Sequence, residues 1–318
     1  MENLAPVLIT TLNRSVHFKR CVESLALSTL ADKTELYIAL DYPLHEGQRA
    51  GYEEIKKYLS DIKGFKSVII IERDKNFGAI DNFFKSLDEV FEKYDKVIIS
   101  EDDNVFSTDF IAFVNKGLNV YESRADIFSI SGYQYPVKVP KSYKEDVYIW
   151  TGFSAWGVGI WKEKWEKVNF EPEIAMDNIR NFLKNYLEVY KLQKIANHFL
   201  PAMIEMLKQK SIHGDSLICL YLYQNKMNSI FPIISRVRNT GHDGSGLHGG
   251  NLESNIYREQ AIFCGNENHV HIKNIQPHKA TNNMLYSFFK SSYKRKVLIM
   301  LKLLQINFGL LYAKKDNE

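Results

Sequence analysis

Short runs rich in Val and Ile alternate with longer amphipathic stretches through the first half of the chain. Residues 6–10, 35–41, 67–72, 96–100 and 126–131 have the length and the β-branched content of strands. Between them the apolar positions recur at helical spacing. One helix is expected from a cap at Ser15 to Leu27, the next over 46–62, and a third over 81–94; a fourth starts at a cap on Ser107 or Thr108 and reaches about Tyr121. Strands separated by crossover helices predict an α/β fold with a mostly parallel, Rossmann-like central sheet flanked by helices. From about Tyr133 the rhythm changes to aromatic-rich segments, helices near 177–196 and 201–210, and the Gly-rich GHDGSGLHGG at 241–250. The expected division is a half over 1–132, a half over 133–275, and a helical tail over 276–318.

Composition narrows the function classes. With 45% hydrophobic and 25% charged residues, the 318-residue chain has the make-up of a folded globular protein that can bury a full core. A net charge of +3 with no basic stripe and interleaved aromatics argues against nucleic-acid binding. Cys21, Cys219 and Cys264 lie far apart without a C-x-x-C spacing, so neither a disulfide framework nor a zinc knuckle is expected. MENLAPVLITTLNR enters a strand-like run at once rather than a charged segment and a long apolar one. A reducing, cytoplasmic location is the expectation.

In a parallel sheet, ligands bind beyond the carboxyl ends of the strands. Asp41 ends the second strand, Asn76 and Gly78 follow the third, and Glu101, Asp102 and Asp103 follow the fourth, so these groups should converge on one edge. The sequence VIISEDDNVFS raises a physical question, because adjacent carboxylates repel one another unless water or a cation screens them. They are either a solvated turn with acids favourably placed near a helix N-terminus, or a metal site. Hard oxygen ligands suit Mn2+ or Mg2+, and such an ion stabilises the charge that gathers on a departing nucleoside diphosphate. The chain has neither GxxxxGK[ST] nor GxGxxG, which leaves ATP-hydrolysis and dinucleotide readings without their phosphate cradles.

VLITTLNRSVHFKRCVESL, LYIALDYP and the EDD at a strand end, followed by FSAWGVGIWKEKW, GDSLICLY, PIISRVRNTG and GLHGG, occur in order over much of residues 6–250. Together they resemble the nucleotide-sugar-dependent glycosyltransferases of the GT-A fold, N-acetylglucosaminyltransferase I and bacterial relatives among them. The resemblance implies that Asp41 bonds the uracil ring of a UDP-sugar donor and that Thr11, Asn13 and Arg14 wall the nucleotide. It further implies that Asp103 ligates the metal, while Glu101 and Asp102 contact metal-bound water or the sugar. Asp215 resembles the catalytic base that takes a proton from an acceptor hydroxyl; a helix N-cap is its plainer role. His248 either contacts the metal or diphosphate or sits in an ordinary Gly-rich loop. Trp156 is the candidate for stacking on an acceptor sugar, whereas Trp161 and Trp165 are expected to share one helix face in the core.

Two departures from the family stand out: no membrane anchor or stem is evident, and Gly214 precedes Asp215 where a Trp is expected. A cytoplasmic enzyme acting on a glycan or lipid-linked acceptor in surface polysaccharide synthesis fits better than the anchored animal enzyme. The expected function is metal-dependent, inverting transfer of GlcNAc or a related hexose. A non-catalytic nucleotide- or glycan-binding module and a sugar-nucleotide pyrophosphorylase are the alternatives, although TTLNRS lacks the glycines of the latter's first loop. In the tail, Lys294, Arg295, Lys302 and Gln305 fall within roughly a 100° arc of a helical wheel, while Lys296 and Asn307 do not. The tail either lies on an anionic membrane surface or docks on the domain.

Overall fold

The protein is described by a computed structural model over residues 4–244, 256–257, 259–265 and 271–309. His248 lies outside the described residues. Strands β1 (Val7–Thr11), β2 (Glu35–Leu40), β3 (Ser67–Glu72) and β4 (Lys96–Glu101) alternate with helices α1 (Ser15–Ala26), α2 (Arg49–Leu59) and α3 (Gly78–Phe91). A short β5 (Asn104–Phe106) leads to α4 (Phe110–Val120), then β6 (Ile127–Ser131), β7 (Val147–Trp150) and β8 (Val158–Trp161). Helices α5 (Lys162–Trp165), α6 (Pro172–Lys184), α7 (Tyr186–Gln193), α8 (Phe199–Gln209) and α9 (Gly214–Gln224) follow, then β9 (Asn228–Pro232) and β10 (Val237–Asn239). The described chain closes with α10 (Lys279–Phe288) and α11 (Tyr293–Asn307).

Eight strands form one sheet in the order β3-β2-β1-β4-β8-β6-β9-β7. The β3-β2-β1-β4 half is parallel throughout, with Val7 opposite both Leu36 and Ile98. Beyond it the directions mix, because β8 runs antiparallel to β4 and β6, and β7 antiparallel to β9. The antiparallel β8 has a positional effect. Its first residue, Val158, pairs with Ile99, so the Phe153–Gly157 approach segment arrives at the edge where β4 delivers Glu101. The sheet crosses residue 132 without a break.

Period-two alternation along the strands builds a core on each face. Val7, Ile9 and Ile98 pack with Phe18, Cys21 and Val22 of α1 and with Phe110 and Val114 of α4. Leu8, Val97 and Ile99 face the other way, onto Leu87 and Val90 of α3 and the helices α6, α8 and α9. Trp161 and Trp165 are both buried, as expected, but Trp161 ends a strand, so no common helix face unites them.

Two helix starts differ from the sequence expectations because the serines expected to cap them donate their hydroxyls to carboxylates instead. Ser15 is the first residue of α1, and its hydroxyl donates to Glu54 of α2 at 2.5 Å rather than capping. Ser107 donates to Asp109 at 2.5 Å, and α4 begins only at Phe110. The expected 46–62 helix is a 3-10 turn over Glu46–Gln48 followed by α2, and the 177–196 stretch is two helices broken at Asn185, whose side chain caps the second.

Gly159 lets α4 lie against the sheet, since a Cβ there would stand 2.5 Å from Val114 Cγ1 and 3.0 Å from Leu118 Cδ1. Gly159→Ala is therefore expected to cost about 1–3 kcal/mol through overpacking. A urea titration should show a lower midpoint with an unchanged slope.

Candidate active site

β4 ends at Glu101 and β5 begins at Asn104, so Asp102 and Asp103 are the whole connection between two strands. Both are buried. Arg14, just after β1, answers the repulsion between them: one guanidinium nitrogen donates to Asp102 and the other to Asp103 Oδ2 at 2.8 Å. Thr11 Oγ1 adds a bond to Asp102 Oδ2 at 2.8 Å. Burial alone would lower the Arg14 pKa, but the two carboxylates outweigh it and the guanidinium is held above its ordinary value. Burial raises the Asp102 carboxyl, and Arg14 opposes the rise.

A second support comes from β10, which pairs antiparallel with β5 and sets Asn239 opposite Asn104. Asn239 Nδ2 donates to Asp103 Oδ1 at 2.6 Å, and the Thr240 amide and hydroxyl both donate to the Asp103 carbonyl at 2.8 Å. Gly241 follows so closely that a Cβ on it would stand 2.0 Å from Asp103 Oδ2. None of Asn104, Asn239 and Thr240 was singled out in the sequence. The signal for Asn239 and Thr240 is the polar NTG that runs directly into the Gly-rich stretch; Asn104 is marked only by following the EDD.

Asp41 is anchored differently. Its Oδ1 accepts from the amides of Tyr42 and Phe77 at 2.9 Å each, and its Oδ2 accepts from the Gly78 amide at 2.8 Å and Asn76 Nδ2 at 3.3 Å. Four donors fill the acceptor capacity of one carboxylate. Asp41 thereby fixes the start of α3, where Gly78 at φ +79° takes a backbone conformation that favours glycine. A base contact would have to displace one of these donors. The Asp41 amide in turn donates to the Thr11 carbonyl at 3.0 Å, joining this group to the Asp102 cluster. Asn13 is half-buried beside them, and Gly51 of α2 meets its carbonyl so closely that a Cβ would lie 1.9 Å away.

Asp215 comes from the distant start of α9, with His213 rather than Asp215 at the cap position. Its Oδ2 accepts from the Ala155 amide at 3.3 Å, which places it beside Trp156. The half-buried Trp156 ring packs edge-on against Tyr133, His242 and Tyr257, with centroids 4.8, 5.6 and 5.9 Å away. Surrounding protein pushes the Asp215 carboxyl up to about 6, although one side stays open to water. Glu101 is likewise open on one side, and its side chain makes no hydrogen bond among the described residues. Desolvation by the surrounding protein raises its pKa well above the carboxylate range, and Asp103, Asp215 and Asp102 add to the rise.

Four carboxyl groups, those of Glu101, Asp102, Asp103 and Asp215, thus share one sheet edge, where Arg14 supplies the one guanidinium paired with them among the described residues. Among the described residues no three Asp, Glu, His or Cys side chains form a ready-made metal cage. The donor set nevertheless suits a hard cation, because Glu101 is unbonded and each Asp103 oxygen keeps a lone pair beyond its one side-chain partner.

No protein-family description matches this chain, and no curated protein does. It is similar to solved structures that include a mannosyltransferase from Pyrobaculum calidifontis in complex with GDP-Man and Mn2+, at 14% identity and a TM-score of 0.36 over 52% of this chain and 46% of that one. TarS of S. aureus matches at 12% identity and 0.33 over 49% and 28%, and mouse xyloside xylosyltransferase 1 at 12% and 0.32 over 51% and 68%. The chain spans less than half the length of the first two. At these identities and scores the likeness assigns no activity.

Arg14→Met is expected to leave two buried acids without their cation and to destabilise the protein by about 2–4 kcal/mol at neutral pH. Chemical denaturation checks this. The loss should shrink in Arg14→Met/Asp102→Asn, where one of the stranded charges is removed as well.

Proposed function

We propose that the protein is a metal-dependent, inverting glycosyltransferase that moves GlcNAc or a related hexose from a UDP-sugar to a hydroxyl of a glycan or lipid-linked acceptor, in surface polysaccharide synthesis. The observation that carries this reading is the surplus of carboxylates at the sheet edge. Even with Glu101 protonated, Asp102, Asp103 and Asp215 outnumber the one guanidinium found there among the described residues and repel an anionic nucleoside diphosphate, so a donor binds there only with a cation between. Asp103 and Glu101 would hold a divalent ion, Mn2+ or Mg2+, which when bound supplies Lewis-acid stabilisation of the departing diphosphate.

In this reading residues 1–132 hold the donor and 133–275 the acceptor. Thr11, Asn13 and Arg14 line the nucleotide, and Arg14 keeps Asp102 and Asp103 at their posts. Asp41 with Asn76 and Gly78 shapes the loop that receives the base. Trp156 offers an aromatic face to the acceptor sugar, whose C–H groups suit it. Asp215 takes the proton from the acceptor hydroxyl as that oxygen bonds to the anomeric carbon and the bond from that carbon to the diphosphate oxygen breaks. Displacement from the opposite face inverts the configuration. A carboxylate raised toward 6 is a stronger base than an ordinary one and remains ionised at neutral pH.

Incubation with UDP-sugars and Mn2+ should release UDP, and chelation should stop it. Binding of UDP without any release would leave only a binding module. Asp215→Asn should retain parental UDP affinity by calorimetry while transfer falls by about 10²-fold or more. Activity of the parental protein should fall as pH drops through about 6, where Asp215 takes up its proton.

A further inference from the structure

Helix α11 is apolar on two sides. Ile299, Leu303 and Ile306 are buried against α6 and α8, and Asn307 Nδ2 secures the end of the helix by donating to the Leu183 carbonyl at 3.0 Å. The tail is therefore docked on the domain. Tyr293, Val297, Met300, Leu301, Leu304 and Phe308, however, are between 37% and 82% exposed. At 100° per residue these six fall within roughly a 100° arc, a continuous stripe of the kind that is normally buried.

Two neighbours extend the stripe. Asn307 Nδ2 also donates to the Tyr186 hydroxyl at 3.0 Å, which brings the start of α7 to the end of α11, and Leu187 and Tyr190 of α7 are 62% and 57% exposed. On its other side Leu298, 58% exposed, widens the apolar face to about 160°; Lys294 sits just inside that edge, and Lys302 and Arg295 follow about 40° and 60° beyond it, all exposed. Between Tyr293 and Gly309 there is no Asp or Glu. A patch of this size on a folded protein marks an interaction surface.

We propose that this face of α11, with the start of α7, docks on an anionic lipid surface. Charge decides between occupants. A second copy meeting the stripe across a two-fold axis would set the basic row against its own like with no acid on the helix to compensate. Anionic headgroups complement the basic row while the apolar stripe enters the headgroup and acyl boundary. The helix lies on the surface rather than crossing it: among the described residues no helix is long and apolar enough to cross a membrane. The inference is independent of the donor reading, because no residue of the carboxylate edge takes part.

The test is flotation of the full-length protein with vesicles of phosphatidylcholine alone and of phosphatidylcholine mixed with phosphatidylglycerol. Binding should be at least about tenfold tighter to the anionic vesicles and should weaken as salt is raised. Leu301→Glu/Leu304→Glu should lose binding by about tenfold or more, and Lys294→Glu/Lys302→Glu should lose the preference for phosphatidylglycerol. Both pairs are exposed, so circular dichroism and thermal melting should match the parental protein, and UDP affinity should not move. Failure of the parental protein to float with anionic vesicles overturns the proposal, as does equal flotation by Leu301→Glu/Leu304→Glu. Sedimentation velocity supplies a third outcome: self-association abolished by that variant, without lipid binding, identifies a second copy as the occupant and also overturns it.

Discussion

The bridge from Arg14 to Asp102 and Asp103 is the constraint around which the site is built. Two acids in a two-residue link between strands have nowhere to retreat from one another, and both are buried. One guanidinium with fixed donor geometry satisfies both, something a point charge does less well. The pair adds little net stability of its own, because desolvating three charges offsets much of their attraction. What it fixes is position: the loop after β1 is tied to the end of β4, and through Asn239 and Thr240 the same link holds β10 and the chain leading into the Gly-rich segment.

Strand direction explains how residues far apart in sequence reach this link. Parallel strands β1 and β4 end on the same edge, which accounts for Arg14 and the acids. The reversed β8 begins where β4 ends, so the segment carrying Ala155 and Trp156 arrives at that edge from the second half of the chain. Asp215 is then held by a single backbone amide from that segment, at the tip of a helix that packs elsewhere. Glu101 and Asp215 are both open on one side, and the Asp215 charge is felt at Glu101.

The five Val/Ile-rich strands were legible to within a residue because β-branched runs bounded by polar residues leave few alternatives. The shorter strands β5, β7, β8, β9 and β10 were not. At three to five residues each they carry no periodicity, and their pairing is decided by tertiary contacts. Trp161 shows the cost of reading spacing alone: four residues from Trp165, it fits a helix stripe yet closes a strand. The start of α3 was read three residues late because the group that holds it, Asp41, lies 37 residues away from Gly78 in sequence. In the same way the acids of the EDD were conspicuous, and Thr11 and Arg14 stood out only as a wall for a nucleotide; nothing local marked them, or Asn239, as the groups that hold the acids. A carboxylate cluster is visible by its oddity; its counter-charge is visible only once the chain has folded.

Docking on one side fixes what α11 can show on the other. With Ile299, Leu303 and Ile306 pointing inward, the helix cannot roll without dragging an apolar row out of the core, so its outward residues are locked in azimuth. A single residue inserted between Ser292 and Ile299 would turn the preceding residues by about 100° relative to the anchored part. Such an insertion would put the Lys294 side of the first turn out of line with Leu301 and Leu304, while the domain beneath stayed folded. The phase of the helix, and not only its composition, is therefore under constraint.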